Sequence, residues 1–264
     1  MTFYSDDNLG YDDEGNTKGA FTVKILAIDT SNHPLTIALV EGGRLLETTT
    51  YNMVKNHSIY VMPTIDQLMK QVHWQPADLD RVVVAQGPGS YTGVRIAVTT
   101  AKVLADTIDC ELVGVSSLAV LAANVPPISD QLVVPFFDAR RGNVYAGGYQ
   151  WQGGKLVEQF ADTHVAMSQL VNQLADQEKS VVMVGQLTRK IKQHFDGNFP
   201  GNVQLLAPGY AVPAAYQLAL LGQDQQPIEN IDSFVPHYLL LTEAEVEWKK
   251  QHPHAPHRNY VQEV

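Results

Sequence analysis

Cysteine and basic side chains are both scarce in this chain of 264 residues. Cys110 is the only thiol, which excludes an internal disulfide framework and a zinc cluster built on cysteines. Lysine and arginine number 18 against 28 aspartates and glutamates, which gives a net charge of −10. A protein that grips nucleic acid by itself normally presents a basic surface, so this balance argues against that class.

Long hydrophobic runs are absent as well. The uncharged stretches 197–223 and 112–129 are interrupted by prolines, and neither could cross a bilayer as a helix of about 20 residues. Residues 1–22 carry five acidic side chains and no apolar core, unlike a signal peptide. Together with the lone cysteine, these features predict a cytosolic protein without a membrane segment.

The same order of predicted strands and helices occurs twice along the chain. From Val23 to Ala123 the pattern predicts three strands, a helix, a strand, a helix, a strand and a helix, and the same order returns from Leu132 to Leu221. Sheets with helices on both faces form α/β layers. We therefore predict an α/β protein of two tandem lobes, each a mixed sheet with helices. Three predicted elements matter below: a helix over Val94–Asp106, a strand over Lys155–Phe160 and a helix over Leu187–Phe195.

This organisation divides the chain into four segments. They are an acidic tail (1–21), an N-terminal lobe (22–125), a C-terminal lobe (126–240) and a C-terminal tail (241–264). Pro126-Pro127 marks the predicted hinge between the lobes. The nine histidines lack the spacing of a metal site, so the sequence predicts no metal.

Short polar residues end the first strand of each half. Asp29-Thr30-Ser31 follows one strand and Asp138 ends the matching strand. Such a junction can hold phosphate, and its aspartate can hold hydrated Mg²⁺. The alternative is that Asp29 and Ser31 cap a turn through their own backbone.

A glycine-rich run, Gln86–Arg95, follows the fourth strand and opens a helix. It lacks the Gly-Lys-Ser/Thr of a Walker A loop and the spacing of a dinucleotide fingerprint. The run predicts either an anion site at the helix N-terminus or a plain turn with Ser90 or Thr92 as the N-cap. The possible phosphate or nucleotide contacts are Asp29, Thr30, Ser31, Gly87, Gly89, Ser90, Thr92, Gly93 and Asp138.

Small residues recur every four positions along the helix after that run. This ridge either packs in the protein's own core or forms a subunit interface with the preceding helix. The candidate interface residues are Ile59, Met62, Ile65, Met69, Gly93, Val94, Ala97, Ala101 and Ala105.

Six runs in order carry a resemblance: ILAIDTSNHPLTIALVEGG, NHSIYVMPTIDQLM, VVVAQGPGSYTGVRIAVTTAKVLA, LVGVSSLAVLA, FFDARRGNVYAGGY and PHYLLLTEAEVEW. Over residues 24–248 the chain resembles the bacterial TsaB (YeaZ) family of tRNA threonylcarbamoyladenosine biosynthesis. The resemblance implies two lobes of the actin, sugar-kinase and Hsp70 ATPase class. It also implies action with a catalytic sister, TsaD, and an ATPase, TsaE. Together these proteins transfer a threonylcarbamoyl group to N6 of adenosine 37 in tRNAs that read ANN codons.

One departure from the sister bears on the role. The sister carries a metal-binding His-x-x-x-His where Ser117 and Leu121 stand here. Leucine cannot ligate a metal, and a lone serine hydroxyl is a poor ligand. The resemblance thus implies a non-catalytic subunit with no catalytic residue and no cofactor of its own. ATP and magnesium are then used by the complex, and tRNA is held mainly by other subunits.

Two alternatives stay open at the level of sequence. A homodimer and a heterodimer with the sister could use the same helical face. The chain could instead be a stand-alone nucleotide-using enzyme of the same fold, a weak ATPase or a small-molecule kinase, which the Gly87–Gly93 loop and Asp29 favour.

Overall fold

The computed structural model describes residues 22–52, 56–128 and 130–240. The predicted tails, 1–21 and 241–264, lie outside the described residues. Within these ranges the strands form two five-stranded sheets, each made from one half of the chain. The repeated element order and the predicted class, two mixed sheets with helices, are confirmed.

The first sheet has the strand order β3-β2-β1-β4-β5. β1 runs antiparallel to β2 and parallel to β4, so the chain makes a hairpin meander and then crosses over through helices. The elements are β1 (Lys24–Asp29), β2 (Leu35–Glu41), β3 (Arg44–Tyr51), α1 (His57–Gln71), β4 (Arg81–Gly87), α2 (Tyr91–Ile108), β5 (Glu111–Ser116) and α3 (Ser117–Ala122).

The second sheet repeats this topology in the order β10-β9-β6-β7-β8. β6 takes the place of β1, antiparallel to β7 and parallel to β9. The elements are β6 (Leu132–Asp138), β7 (Asn143–Gln152), β8 (Lys155–Ala166), α4 (Met167–Ala175), β9 (Val181–Gly185), α5 (Arg189–Lys192), β10 (Val203–Leu205) and α6 (Ala215–Gln223).

The third helix of each half packs against the other half's sheet. β1, β4 and β6 are apolar at nearly every position. Because alternate side chains of a strand face opposite sides of its sheet, each sheet is apolar on both faces. α1 and α2 cover the outer face of the first sheet and α6 covers its inner face. α4 and α5 cover the outer face of the second sheet, and α3 covers its inner face. The chain passes from the first sheet to the second between β5 and β6, and the exchange of α3 and α6 connects the two halves. The division at residues 125/126 into separate lobes stays a prediction.

Three predicted boundaries are wrong, each for a local reason. α2 begins at Tyr91 rather than Val94, because the Ser90 hydroxyl accepts a hydrogen bond from the Gly93 N–H and caps the helix. β8 continues to Ala166, because its pairing with β7 continues past a bulge at Gly148. α5 is a single turn rather than Leu187–Phe195. No helix of the described ranges is long and apolar enough to cross a membrane.

The small-residue ridge of α2 lies in the protein's own core. Ala97, Ala101 and Ala105 are fully buried against the first sheet, so they offer no surface to a partner. This corrects most of the predicted interface. The buried members of that set are Ile65, Met69, Gly93, Val94, Ala97, Ala101 and Ala105. Ile59 and Met62 are exposed, and their role as interface residues stays a prediction.

Residues 224–240, which we name the strap, return from α6 along the edge of the first sheet. The Ile228 N–H donates to the Leu112 carbonyl at 2.8 Å, and Phe234 packs against Gly114. The Lys102 ammonium donates to the Asp232 and Phe234 carbonyls, each at 2.8 Å. Through these contacts the strap follows β5 to the carboxyl ends of β4 and β5.

Candidate functional site

A cleft lies where the carboxyl ends of the two sheets face each other. In α/β sheets, this edge is where ligands usually bind. The cleft holds a cavity of about 500 Å³. The lining comes from the first turn (Asn32), the start of α2 (Gly89–Thr92), the second turn (Phe137–Arg140), Tyr145, Lys190 and the strap (His237–Leu240).

The turn after β1 is buried and largely satisfied by its own chain. One carboxylate oxygen of Asp29 accepts the Ser31 N–H at 2.7 Å, which is the turn-capping geometry. The Thr30 hydroxyl donates to the Gly93 carbonyl at 2.6 Å. Burial raises the pKa of Asp29, and the bond from Ser31 opposes this only in part. Asp29 Oδ2 and Ser31 Oγ are buried and have no partner among the described residues.

Glycines in the run after β4 allow this turn to pack closely. A β-carbon on Gly89 would lie 2.1 Å from the Ser31 carbonyl oxygen, and one on Gly93 would lie 2.1 Å from that of Thr30. The Ser90 N–H also donates to the Ser31 carbonyl at 2.7 Å. Backbone atoms of the first turn therefore fill the space that a side chain would need at these two glycines.

The matching turn of the second half reproduces the same local geometry. One oxygen of Asp138 accepts the Arg140 N–H at 2.7 Å, and the other accepts the Thr188 hydroxyl at 2.5 Å. Arg140 and Arg141 adopt φ of 69° and 53°, a left-handed conformation that costs a non-glycine residue about 1–2 kcal/mol. Hydrogen bonds between Ala139 and Asn143 and between Asn143 and Arg140 hold the turn in this shape.

The strap closes one side of the cleft. The His237 N–H donates to the Gln86 carbonyl at 2.7 Å, and the His237 carbonyl oxygen is 2.5 Å from where a β-carbon on Gly87 would be. Gly87 has φ of 110°, so its position also requires glycine. The Tyr238 ring stacks on Tyr91 with centroids 4.7 Å apart. Sequence reasoning missed the strap as a wall of the cleft, because it has no periodic pattern.

A polar network joins the two sheets beneath the cleft. The Ser116 hydroxyl donates to Asp162 Oδ2 at 2.5 Å and also accepts the N–H groups of Leu118 and Ala119. The Tyr149 hydroxyl donates to Asp162 Oδ1 at 2.6 Å. Burial raises the pKa of Asp162. Burial and the neighbouring Asp162 carboxylate together raise the pKa of Tyr149. The network links the start of α3 to β7 and β8.

The predicted phosphate contacts therefore divide into two groups. Gly89, Ser90, Thr92 and Asp138 line the cavity, and their contact with a ligand stays a prediction. The other predicted contacts are buried, and their contact with a ligand also stays a prediction: Asp29, Thr30, Ser31, Gly87 and Gly93. Backbone atoms fill the space beside Gly87 and Gly93, whereas Asp29 Oδ2 and Ser31 Oγ have no partner among the described residues.

Ser117 and Leu121, the positions where the resemblance implies histidines in the sister, are also buried. The Ser117 hydroxyl accepts the Gly87 N–H at 3.1 Å, and Leu121 packs in the core between α3 and the second sheet. Within the described ranges, no group of three His, Cys, Asp or Glu side chains is placed to hold a metal ion.

A second exposed feature lies on α1 and α2, away from the cleft. Side chains of both helices that face the sheet are buried, but Ile59, Met62 and Val103 are 62%, 47% and 59% exposed. α1 and α2 contact each other on the same outer face of the first sheet. We name these three side chains and the exposed Tyr60 the helical apolar face.

Comparisons with known proteins agree with this architecture. A family model described as "TsaD: tRNA N6-adenosine threonylcarbamoyltransferase" matches residues 44–248. The tRNA threonylcarbamoyladenosine biosynthesis protein TsaB of Bacillus subtilis is 41% identical over 225 residues, which cover 85% of this chain and 97% of that protein.

Solved structures match over most of the chain. A Pseudomonas aeruginosa protein, described as uncharacterized with similarity to the peptidase YeaZ, superposes with a TM-score of 0.70 at 25% identity and covers 83% of this chain and 100% of its own. YeaZ from P. aeruginosa gives 0.67 at 24% identity, with 82% and 100% covered. The sheet topology, the cleft and these similarities show that the chain belongs to the TsaB/YeaZ family, with its two actin-like lobes.

Proposed function

We propose that this protein is a non-catalytic subunit of the machinery that makes threonylcarbamoyladenosine in tRNA. It binds a TsaD-type catalytic paralogue and, with a TsaE-type ATPase, supports threonylcarbamoyl transfer to N6 of adenosine 37 in tRNAs that read ANN codons. The threonylcarbamoyladenosine pathway is proposed from the name of the Bacillus subtilis relative. The role as a binding subunit is proposed from the exposed apolar side chains of this chain.

The observation that carries the proposal is the helical apolar face. Three large apolar side chains on two neighbouring helices remain exposed although the inward sides of those helices are fully packed. Exposed large apolar side chains on two adjacent helices favour a protein partner, because their burial removes apolar surface from water. A paralogue with the same topology presents an equivalent helix pair, so a pseudo-symmetric contact between the two proteins follows naturally.

The interior of the chain supports a non-catalytic role. Where the sister has metal-ligating histidines, Ser117 is occupied by the Gly87 N–H and Leu121 is buried in an apolar core. The first turn is packed against the glycine run rather than open to a nucleotide. ATP and magnesium are therefore assigned to the complex rather than to this subunit.

Partner capture tests the interface. The full chain is mixed with the TsaD-type paralogue of the same genome, and the Kd is measured by titration calorimetry for the wild type and for Met62→Glu. A charge at the centre of an apolar contact should weaken binding at least tenfold, which corresponds to about 1.4 kcal/mol.

A control on the same helix separates charge from contact. Gln67 is exposed on α1, and Gln67→Glu adds the same charge, so its Kd should stay within twofold of the wild type. Circular dichroism should show that both variants are folded. Failure of the wild type to bind the paralogue, or equal affinities for both variants, would contradict the proposal.

A reconstitution assay tests the role itself. The chain alone should not modify tRNA, and modification should appear when the paralogue, the ATPase, ATP and magnesium are added. Modification by the isolated chain would overturn the non-catalytic assignment.

The second candidate is a stand-alone nucleotide-using enzyme. The cavity favours it, because Ser90, Thr92 and Asp138 line a space large enough for a small ligand. Calorimetry of the isolated chain with ATP and Mg²⁺ separates the two functions. Saturable binding and turnover that Asp138→Asn abolishes would support the enzyme.

A further inference from the structure

The strap ends in the wall of the cleft. Its last four residues, His237–Leu240, line the cavity of about 500 Å³. The strap is fixed there by its backbone, because the His237 N–H donates to the Gln86 carbonyl at 2.7 Å. Residues 241–248 follow Leu240 directly in the sequence and lie outside the described residues. This segment therefore starts at the cavity itself.

Both halves of the chain place positive charge around this cavity. Arg140, in the turn after β6, and Lys190, on α5, are exposed and line it from the second half. The start of α2, Gly89–Thr92, lines it from the first half. The N-terminus of a helix of 18 residues carries a partial positive charge. The cavity therefore favours a negatively charged occupant.

The one carboxylate in the described lining is already hydrogen-bonded. The oxygens of Asp138 accept the Arg140 N–H at 2.7 Å and the Thr188 hydroxyl at 2.5 Å. The ion pairs that the structure describes join residues between positions 24 and 111, none of which lines the cavity. The charged ends of Arg140 and Lys190 can thus pair with carboxylates from outside the described ranges.

The segment after the strap has a complementary pattern. Acidic and apolar residues alternate in it: Glu243, Ala244, Glu245, Val246, Glu247 and Trp248. In an extended conformation the two sets would point to opposite sides, so three carboxylates would share one side. The cavity also has apolar lining, such as Phe137 and the 41% exposed Leu240. Both sides of the segment therefore have a counterpart in the cleft.

Direct linkage favours this occupant over a free one. An extended chain spans about 3.3 Å per residue, so residues 241–248 reach up to about 26 Å from the strap. A segment joined to its own site through a few residues is present there at an effective concentration on the order of 1 mM. Ion pairs between exposed groups, although individually weak, are then sufficient to favour occupancy.

We propose that residues 241–248 occupy the cleft, where their glutamates pair with Arg140 and Lys190. The cleft is then filled by the protein's own chain, and a free anion has to displace the segment before it can bind. This inference goes beyond the proposed function, because it concerns the cleft and not the helical apolar face. The same segment from a second copy of the chain is the competing occupant.

A zero-length carbodiimide cross-linker tests the contact in the full chain. The reagent activates a carboxylate, the Lys190 amine attacks it, and an amide forms as a urea leaves. Mass spectrometry of the monomer should find Lys190 joined to Glu243, Glu245 or Glu247. Lys155 and Lys179 are exposed and lie outside the cavity lining, so they should be joined to these glutamates far less often.

The other cross-linking results would overturn the proposal. If no glutamate of the segment is joined to Lys190, or if the three lysines are joined equally, the segment does not occupy the cleft. If the Lys190 cross-link is found only in a dimer, the occupant is the segment of a second copy.

The reactivity of Lys190 measures occupancy without a cross-linker. The full chain is acetylated by a succinimidyl ester at about 50 mM salt, where screening of ion pairs is weak. In the variant with Glu243→Gln, Glu245→Gln and Glu247→Gln, Lys190 should react about threefold faster or more, because its ion pairs are lost. Lys155 should react at the same rate in the wild type and the variant.

A matched control removes three negative charges elsewhere. Glu158, Glu178 and Glu229 are exposed, and replacing all three by Gln should leave the Lys190 rate close to that of the wild type. Equal Lys190 rates in the wild type and both triple variants would overturn the proposal, as would equal increases in both variants.

Inorganic phosphate distinguishes the segment from a free anion. Phosphate should slow the acetylation of Lys190 in the variant at 243, 245 and 247 more than in the wild type, whose cleft is already filled. Equal protection in both would show an open cleft and overturn the proposal. Capture of the TsaD-type paralogue should be the same for both proteins, and failure of the wild type to capture it would overturn the proposed function alone.

Discussion

Replacing Gly93 by alanine should destabilise the protein, although helix propensity predicts the opposite. Gly93 lies in the first turn of α2, and an exposed helical Gly→Ala change stabilises by up to about 1 kcal/mol. Here the new β-carbon would lie 2.1 Å from the Thr30 carbonyl oxygen and 3.3 Å from Ser90 Cβ. Real β-carbons essentially never approach other atoms within 3.0 Å, so the turn and the helix must separate by roughly 1 Å.

The magnitude follows from what that separation breaks. The Thr30 hydroxyl donates to the Gly93 carbonyl at 2.6 Å, and the Ser90 N–H donates to the Ser31 carbonyl at 2.7 Å. Overpacking costs about 1–3 kcal/mol, and each strained hydrogen bond adds about 1 kcal/mol. We expect a loss of about 2–4 kcal/mol, and a fall in melting temperature of roughly 5–15 °C in a chain of this size.

Urea unfolding followed by circular dichroism gives the measurement. Gly201→Ala is the matched control, because no atom lies within 4 Å of its β-carbon and its φ is not positive. That variant should differ from the wild type by less than about 0.5 kcal/mol. If Gly93→Ala is as stable as the wild type, the glycine does not serve this close packing, and the phosphate-site interpretation of the run regains its support.

Three further predictions concern buried groups. Ala101→Glu should unfold the first lobe, because it places a charge and extra volume at a fully buried position and should cost more than about 3 kcal/mol of stability. The loss should be visible as reduced helical circular dichroism. A folded variant would show that Ala101 does not lie in the core. Asp29 has a raised folded pKa, so its contribution to the free energy of unfolding is complete below the ordinary pKa and is lost as the pH rises through the folded pKa. Asp29→Asn should therefore gain stability relative to the wild type as the pH rises above about 4 in urea titrations, and a constant difference across pH would contradict this. Burial and nearby carboxylates raise the pKa of Cys110 to about 11, so an electrophilic thiol reagent should react with it at pH 8 far more slowly than with free cysteine, and reaction at the free rate would refute the environment described.

The sequence by itself determined the elements and their repeat. The continuous apolar runs of β1 and β6, and the Gly-Gly turns after β2 and β7, are local signals, so the sequence predicts two matching meanders directly. The family resemblance also rests on runs of local sequence. The same locality explains the boundary errors, because the Ser90 cap and the extended pairing of β8 depend on contacts that a periodic pattern does not contain.

Only the tertiary structure decided between two interpretations of the alanine ridge and of the glycine-rich run. A ridge of alanines every four residues fits a core or an interface equally well, and the sheet beneath α2 makes Ala101 core while leaving Met62 outside. Glycines beside a helix start fit phosphate or close packing, and the Thr30 and Ser31 carbonyls occupy the space at Gly93 and Gly89. The exchange of α3 and α6 and the position of the strap beside the cleft both depend on long-range contacts. Such contacts are fixed by the burial of whole faces, and no local stretch of sequence encodes them.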